Sequence, residues 1–195
     1  LNEDINIWKV AMYGTTRDYF LLESLKRGIT INQYTKDWTR ECGFETSEPA
    51  DDKNYEIQKL PFLDARRVER YYTPFNNTTK IAITDFYRTG DIKVYKAPHI
   101  LIKLGQKDKQ YCVSFSDYDC SFRRALYGMQ YNDSDLLKAL TVFLNSKLAT
   151  YLLFMSTASW GIEREQVHFI EVLSLPFFDF LSSRAFVRHL SKRLD

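Results

Sequence analysis

Residues 98 to 115 read Pro-His-Ile-Leu-Ile-Lys-Leu-Gly-Gln-Lys-Asp-Lys-Gln-Tyr-Cys-Val-Ser-Phe, and this stretch decides the fold. Two short runs rich in β-branched and aromatic side chains, Pro98 to Leu104 and Gln110 to Phe115, flank a polar connection led by Gly105. That is the pattern of a β-hairpin. The next strong signal is helical. From Asp133 to Ser156, Leu136, Leu137, Leu140, Phe143, Leu144, Leu148, Tyr151, Leu152 and Met155 recur at steps of three and four, predicting a long, largely buried helix. Asn132, Asp133 or Ser134 caps it, and Tyr127 and Gly128 are assigned to the loop before it.

Working outward, Ile5, Ile7, Val10 and Met12 around Trp8 predict a short strand. A helix follows, capped by Thr15 or Thr16, with Asp18 in its first turn and Lys26, Arg27 and Gly28 closing it. Thr30 to Glu56 is irregular and polar, with short strands expected. Leu60, Phe62 and Leu63 form an apolar island around Pro61, and Pro74, Asn76-Asn77 and Gly90-Asp91 mark turns. Trp160 is expected to cap the end of the long helix, and an amphipathic helix is predicted over Ser182 to Leu194. Strands first and a long helix late, without regular alternation, predict an α+β fold. It would combine short mixed or antiparallel strands, one long buried helix and flanking helices in one domain over residues 1–195. A chain of 195 residues buries roughly 70% of its unfolded surface, so it needs no metal or disulfide to hold it.

Composition excludes several classes. With 45% hydrophobic and 27% charged residues the chain is neither disordered nor membranous, and its longest apolar tract is broken by Asn145, Ser146 and Lys147. No membrane partner is expected. Cys42, Cys112 and Cys120 lack the spacing of a zinc site and read as reduced cytosolic thiols. No phosphate-cradling glycine loop and no nucleophile elbow occurs. His99, His168 and His189 are isolated, and read as packing or surface residues. The pairs Asp117/Asp119 and Asp133/Asp135 suit a magnesium-dependent nuclease but sit where Asp serves turns and caps. The chain begins Leu-Asn-Glu-Asp, without Met or a secretion signal, and reads as part of a longer protein.

The net charge of +2 hides two opposed regions. Glu41 to Glu56 holds six acids and one base, whereas Arg66 to Lys109 holds ten bases and four acids. A basic, turn-rich middle third suits phosphate contacts, and an acidic stretch is expected to face away from a polyanion. The candidate DNA-binding residues are Arg66, Arg67, Arg70, Lys80, Arg88, Lys93 and Lys96, with Arg123 and Arg124 further on. Asn76, Asn77 and Gln58 are candidates for pairing with adenine. Tyr71, Tyr72, Phe75, Phe86, Tyr87 and Tyr95 interleave with these bases; such aromatics stack on bases or, more commonly, pack in a sheet.

Two stretches carry a resemblance. Trp8-Lys9 through Gly14-Thr15-Thr16-Arg17-Asp18-Tyr19 to Leu22-Glu23-Ser24-Leu25 is similar to the region that follows the catalytic domain in adenine-specific DNA methyltransferases of restriction-modification systems. The second comprises Pro98 to Lys103, Leu136 to Leu140, Leu144-Asn145-Ser146-Lys147-Leu148-Ala149, and Ser159-Trp160-Gly161-Ile162-Glu163-Arg164 to Leu173-Ser174-Leu175-Pro176. It resembles the TaqI-like C-terminal specificity domain, the target-recognition part of single-chain methyltransferases that include type IIG enzymes and the methyltransferases of BREX phage-defence systems. The resemblance implies a bacterial, cytoplasmic, duplex-DNA-reading module that is no enzyme by itself, partnered by the catalytic methyltransferase domain of the same full-length chain. The catalytic Asn-Pro-Pro-Tyr motif and the glycine-rich cofactor loop are missing, so S-adenosylmethionine would belong to that other domain. Two further readings stay open: a protein-interaction or scaffolding domain without DNA contact, and a hydrolase or nuclease.

Overall fold

The computed structural model describes residues 5–46, 55–81, 86–105, 110–157, 160–162, 166–177 and 183–192. Its centre is a five-stranded mixed sheet of β1 (Thr39–Cys42), β2 (Tyr71–Tyr72), β3 (His99–Lys103), β4 (Val113–Ser116) and β5 (Leu126–Gln130), in the order β1-β5-β3-β4-β2. β3 pairs antiparallel with both β4 and β5, β1 pairs antiparallel with β5, and β2 joins β4 in parallel. The hairpin is therefore where the sequence puts it, with Ile100 opposite Phe115 and Ile102 opposite Val113. Its tip, residues 106–109, lies outside the described residues. Eight helices accompany the sheet among the described residues: α1 (Ile5–Tyr13), α2 (Thr16–Leu25), α3 (Ile31–Tyr34), α4 (Tyr55–Lys59), α5 (Ser134–Leu144), α6 (Lys147–Ser156), α7 (Phe169–Leu173) and α8 (Arg184–Ser191). This is the expected α+β architecture.

Side-chain alternation divides the molecule into two layers about the sheet. Ile100, Ile102, Val113, Phe115 and Met129 pack with Leu137, Leu140, Leu144 and Leu153 in a helical layer. Leu101 and Leu126 point the other way, into a second core with Phe44, Leu63, Phe86, Val94, Tyr95 and Phe122, all from loops and short turns. His99 to Ile102 are fully buried, as a strand covered on both faces must be.

Four expectations are corrected. Residues 5–13 are helical, not a strand: Lys9 and Val10 turn onto the end of α6, where the Lys9 ammonium donates to the carbonyls of Phe154 (2.6 Å) and Trp160 (3.0 Å) and lies over the Phe154 ring. That anchoring overrides the β-propensity of Ile and Val. The C-cap of α6 is Thr157, whose N–H and hydroxyl donate to the Leu153 carbonyl, while Trp160 is buried in the helical core. Tyr127 and Gly128 belong to β5 rather than a loop. Glycine is required there because a Cβ at Gly128 would lie 2.5 Å from Val94 and 2.7 Å from Phe122. The long helix is two, α5 and α6, bent by 65°. No single described helix is long and apolar enough to cross a membrane. The last helix runs Arg184–Ser191, and Ser182, Arg193 and Leu194 lie outside the described residues.

The bend has a clear cause. Asn145 is 3% exposed, and its amide accepts from the Val113 N–H (3.1 Å) and donates to the Val113 carbonyl (2.7 Å) and the Thr141 carbonyl (2.8 Å). It takes the place of a pairing strand at the residue where β4 runs past the end of β2. Ser146 then caps the new helix by accepting from the Ala149 N–H. Replacing Asn145 by Ala strands both backbone groups of Val113, so Asn145→Ala is expected to lower stability by about 3 kcal/mol in urea titrations, whereas the exposed Leu148→Ala changes it little.

Candidate nucleic-acid interface

The second core determines where the cations stand. It is built from loops, and each loop is pinned by one or two buried side chains whose chain neighbours are basic. Arg67 precedes the buried Val68, Lys93 precedes Val94, Lys96 follows Tyr95, and Arg123 follows Phe122. Arg66, Arg67, Lys80, Arg88, Lys93, Lys96, Arg123 and Arg124 are all exposed, and all belong to this loop layer. Rigidly anchored loops with exposed charged tips are a common way for a scaffold to present a binding surface.

Local networks fix some tips and leave others open. Asp64 caps the 3-10 turn at Ala65–Arg67 by accepting from the Arg66 N–H, and also grips the Arg66 guanidinium at 3.0 and 2.9 Å. These hydrogen bonds hold the Asp64 carboxyl down to about 2. Arg67 donates to the Asn77 carbonyl (3.3 Å), and the Asn77 amide donates to the Arg67 carbonyl and to Glu69, both at 3.1 Å. Asn77 is thereby committed to structure, while Asn76 stays exposed. Arg70, half-buried at the edge strand, donates to Gln110. Lys96 pairs with Asp119 at 3.0 Å. Among the described residues, Lys80, Lys93 and Arg123 have no carboxylate partner.

Of the acidic stretch, Glu45 does not face away from the cations. Glu45 forms bridges beside Arg88 and takes a salt bridge from Arg124 at 2.9 Å, with Arg88 at 3.9 Å. Phe44 explains this: buried in the loop core and paired beside Arg123, it carries its neighbour Glu45 into the basic surface. Glu48, Asp51, Asp52 and Lys53 of that stretch lie outside the described residues, as do Asp85, Lys107, Asp108, Lys109, Ser159, Glu163 and Arg164.

The interleaved aromatics split into two groups. Phe86 and Tyr95 are core, the Tyr95 hydroxyl donating to the Thr89 carbonyl at 2.7 Å. Tyr71, Tyr72, Phe75 and Tyr87 are exposed. Phe75 walls an open cleft of about 530 Å³ flanked by Lys59 and Lys80, with Gln58 at its edge. Lys59 was not foreseen from sequence, because α4 is too short to leave a periodic signal.

The remaining candidate chemistry resolves into structure. Asp119 accepts from the Ala97 N–H, Asp133 caps α5 and binds Arg184, and Asp135 accepts from Ser191. Among the described residues no group of His, Cys, Asp and Glu is placed to hold a metal ion. His168 caps α7 and His189 is exposed on α8. The three cysteines are free, and burial pushes the Cys120 thiol up to about 12.

No family model matches the chain, and no curated protein does. Among solved structures it is similar to one described as the structural basis of complex assembly and conformational transition of the type I restriction-modification system. That match has 14% identity over 85% of this chain and 37% of the other, with a TM-score of 0.44. It is also similar to the HsdS subunit from Thermoanaerobacter tengcongensis, at 14% identity over 91% of this chain and 43% of the other, with a TM-score of 0.38. The chain spans about two fifths of the length of these structures.

His99 supplies a test of the loop core. It is fully buried, its Nδ1 lies 2.8 Å from the Val94 carbonyl, and its Nε2 lies 3.7 Å from the Cys120 sulfur. Burial pushes the imidazole down to about 4, against the opposing pull of the Val94 carbonyl and the Asp119 charge. The unfolded chain takes up this proton near pH 6.5 and the folded chain only near pH 4, so stability falls as the pH drops through that window, by about 3 kcal/mol. Urea titrations at a series of pH values are expected to show that fall in the parent protein and a flatter profile in His99→Gln.

Proposed function

We propose that this chain is the sequence-specific duplex-DNA recognition module of an adenine-specific DNA methyltransferase in a bacterial restriction-modification or phage-defence system, of the type IIG or BREX kind. The observation that carries the reading is the placement of eight candidate cations in one layer: exposed Arg and Lys tips on loops pinned to the core opposite the helices. Such a layer meets both demands on a DNA reader, which must neutralise phosphates to hold register and present side chains to base edges. Lys80, Lys93 and Arg123, with no carboxylate partner among the described residues, suit phosphates. Arg66 and Arg124 are hydrogen-bonded to Asp64 and Glu45, and a guanidinium oriented in this way is suited to a bidentate contact with guanine. Asn76 is the exposed amide available to adenine. The module does no chemistry itself. A partner catalytic domain of the same full-length chain would bind S-adenosylmethionine and receive an adenine rotated out of the duplex, while this layer holds the flanking bases.

Titration of the 195-residue chain with mixed-sequence duplex DNA over a range of salt concentrations tests this. Affinity is expected to fall steeply with salt, and Lys80→Ala and Arg123→Ala are each expected to reduce the slope of log K against log salt by about 1. Arg66→Ala/Arg67→Ala is expected to weaken binding further. Affinity indifferent to salt and to all of these substitutions overturns the proposal in favour of a protein-interaction domain.

A further inference from the structure

The segment from β2 into the turn at Phe75–Asn77 holds aromatic residues where a folded chain ordinarily hides them. Tyr71 has a φ of +74°, a left-handed backbone conformation that bulky side chains rarely adopt, on an edge strand of two residues. The surroundings hold it there. Arg70 on one side donates to Gln110, Tyr72 on the other donates to Asp117 at 3.3 Å, and Tyr71 itself pairs in register with Ser114 of β4. The outcome is a Tyr71 side chain that is 40% exposed and makes no hydrogen bond among the described residues. Phe75, four residues on, is 57% exposed, its ring steadied edge-to-face by Tyr118 at 5.2 Å and 88°. Phe75 is also part of the lining of the cleft that Lys59 and Lys80 flank.

An exposed aromatic ring beside two cations is the combination that takes a nucleobase together with its phosphates. The ring offers a π-face to any base, and each ammonium meets one backbone charge. We infer that Phe75 and Tyr71 are base-contacting residues, stacking on or wedging against nucleobases of the bound duplex, and that Lys59 and Lys80 hold the adjacent phosphates. This assignment rests on the DNA-binding reading above and adds to it the residues that touch bases rather than backbone.

The two contributions separate by their salt dependence. Binding of the full chain to mixed-sequence duplex is measured across salt for Phe75→Ala, Phe75→Leu, Phe75→Trp and Lys59→Ala/Lys80→Ala, with thermal melting of each variant to establish folding. Phe75→Ala and Phe75→Leu are expected to lose about tenfold in affinity at every salt concentration with the slope unchanged, and Phe75→Trp to retain affinity. Lys59→Ala/Lys80→Ala is expected to flatten the slope by about 2. Irradiation of the complex with duplex carrying 5-iodouracil in place of thymine is expected to cross-link Tyr71 and Phe75. Salt-dependent binding in which the Phe75 variants match the parent and cross-links fall elsewhere overturns this assignment and leaves the DNA reading standing. Failure of the parent chain to bind duplex at any salt concentration overturns both.

Discussion

The structure depends on the demand that β3 be buried from both sides. From His99 to Ile102 no side chain reaches solvent, so one face of the strand must meet a helical layer and the other a separate core. Ile100 and Ile102 meet α5, while His99 and Leu101 meet loops. A hairpin alone cannot satisfy this; it needs β5 on one flank, β4 on the other and a cover above and below. The rest of the fold follows. α5 lies across β3 and β4, and α6 turns away at Asn145, where the sheet's own hydrogen bonding requires a side chain in place of a strand.

The two covers differ in kind, and that difference bears on function. The helical layer satisfies its backbone internally and presents a regular surface. The loop layer has little regular hydrogen bonding of its own and is held by single anchors such as Leu63, Val68, Phe86, Val94 and Phe122, stitched by isolated bridges between residues 44 and 123, 45 and 88, and 62 with both 79 and 121. Between anchors the chain must return to solvent, and there the sequence supplies Arg, Lys, Asn and exposed aromatics. Glu45 belongs to the same design. It accepts a hydrogen bond from the Arg124 guanidinium and lies 3.9 Å from that of Arg88, within a basic surface instead of opposing it from elsewhere.

Much of this was legible in the residues. The hairpin, the capped helix after Thr15, the α+β class and the clustering of cations in the middle third all follow from local signals: β-branched runs about a glycine-led turn, an N-cap three residues before Asp18, and a change in the sign of charge along the chain. The failures share a cause. Ile5–Tyr13 has the composition of a strand, but Lys9 finds the carbonyls of Phe154 and Trp160, 145 and 151 residues away. Gly128 reads as a loop glycine, yet it lets β5 pass beneath Val94. Phe86 and Tyr95 cannot be told from Tyr87 and Phe75 by spacing, because short irregular segments have no period from which to infer a face.

The sequence by itself therefore determined the elements whose cause is local: a turn residue, a cap, a hydrophobic run, a local excess of charge. Only the tertiary structure decided which aromatics are core and which meet solvent, which cations are tethered to carboxylates, and that the long apolar stretch bends at Asn145. Each of these depends on a partner far away in the chain, and the free energy of burying a ring or satisfying a backbone N–H is set by that partner rather than by the neighbours in sequence.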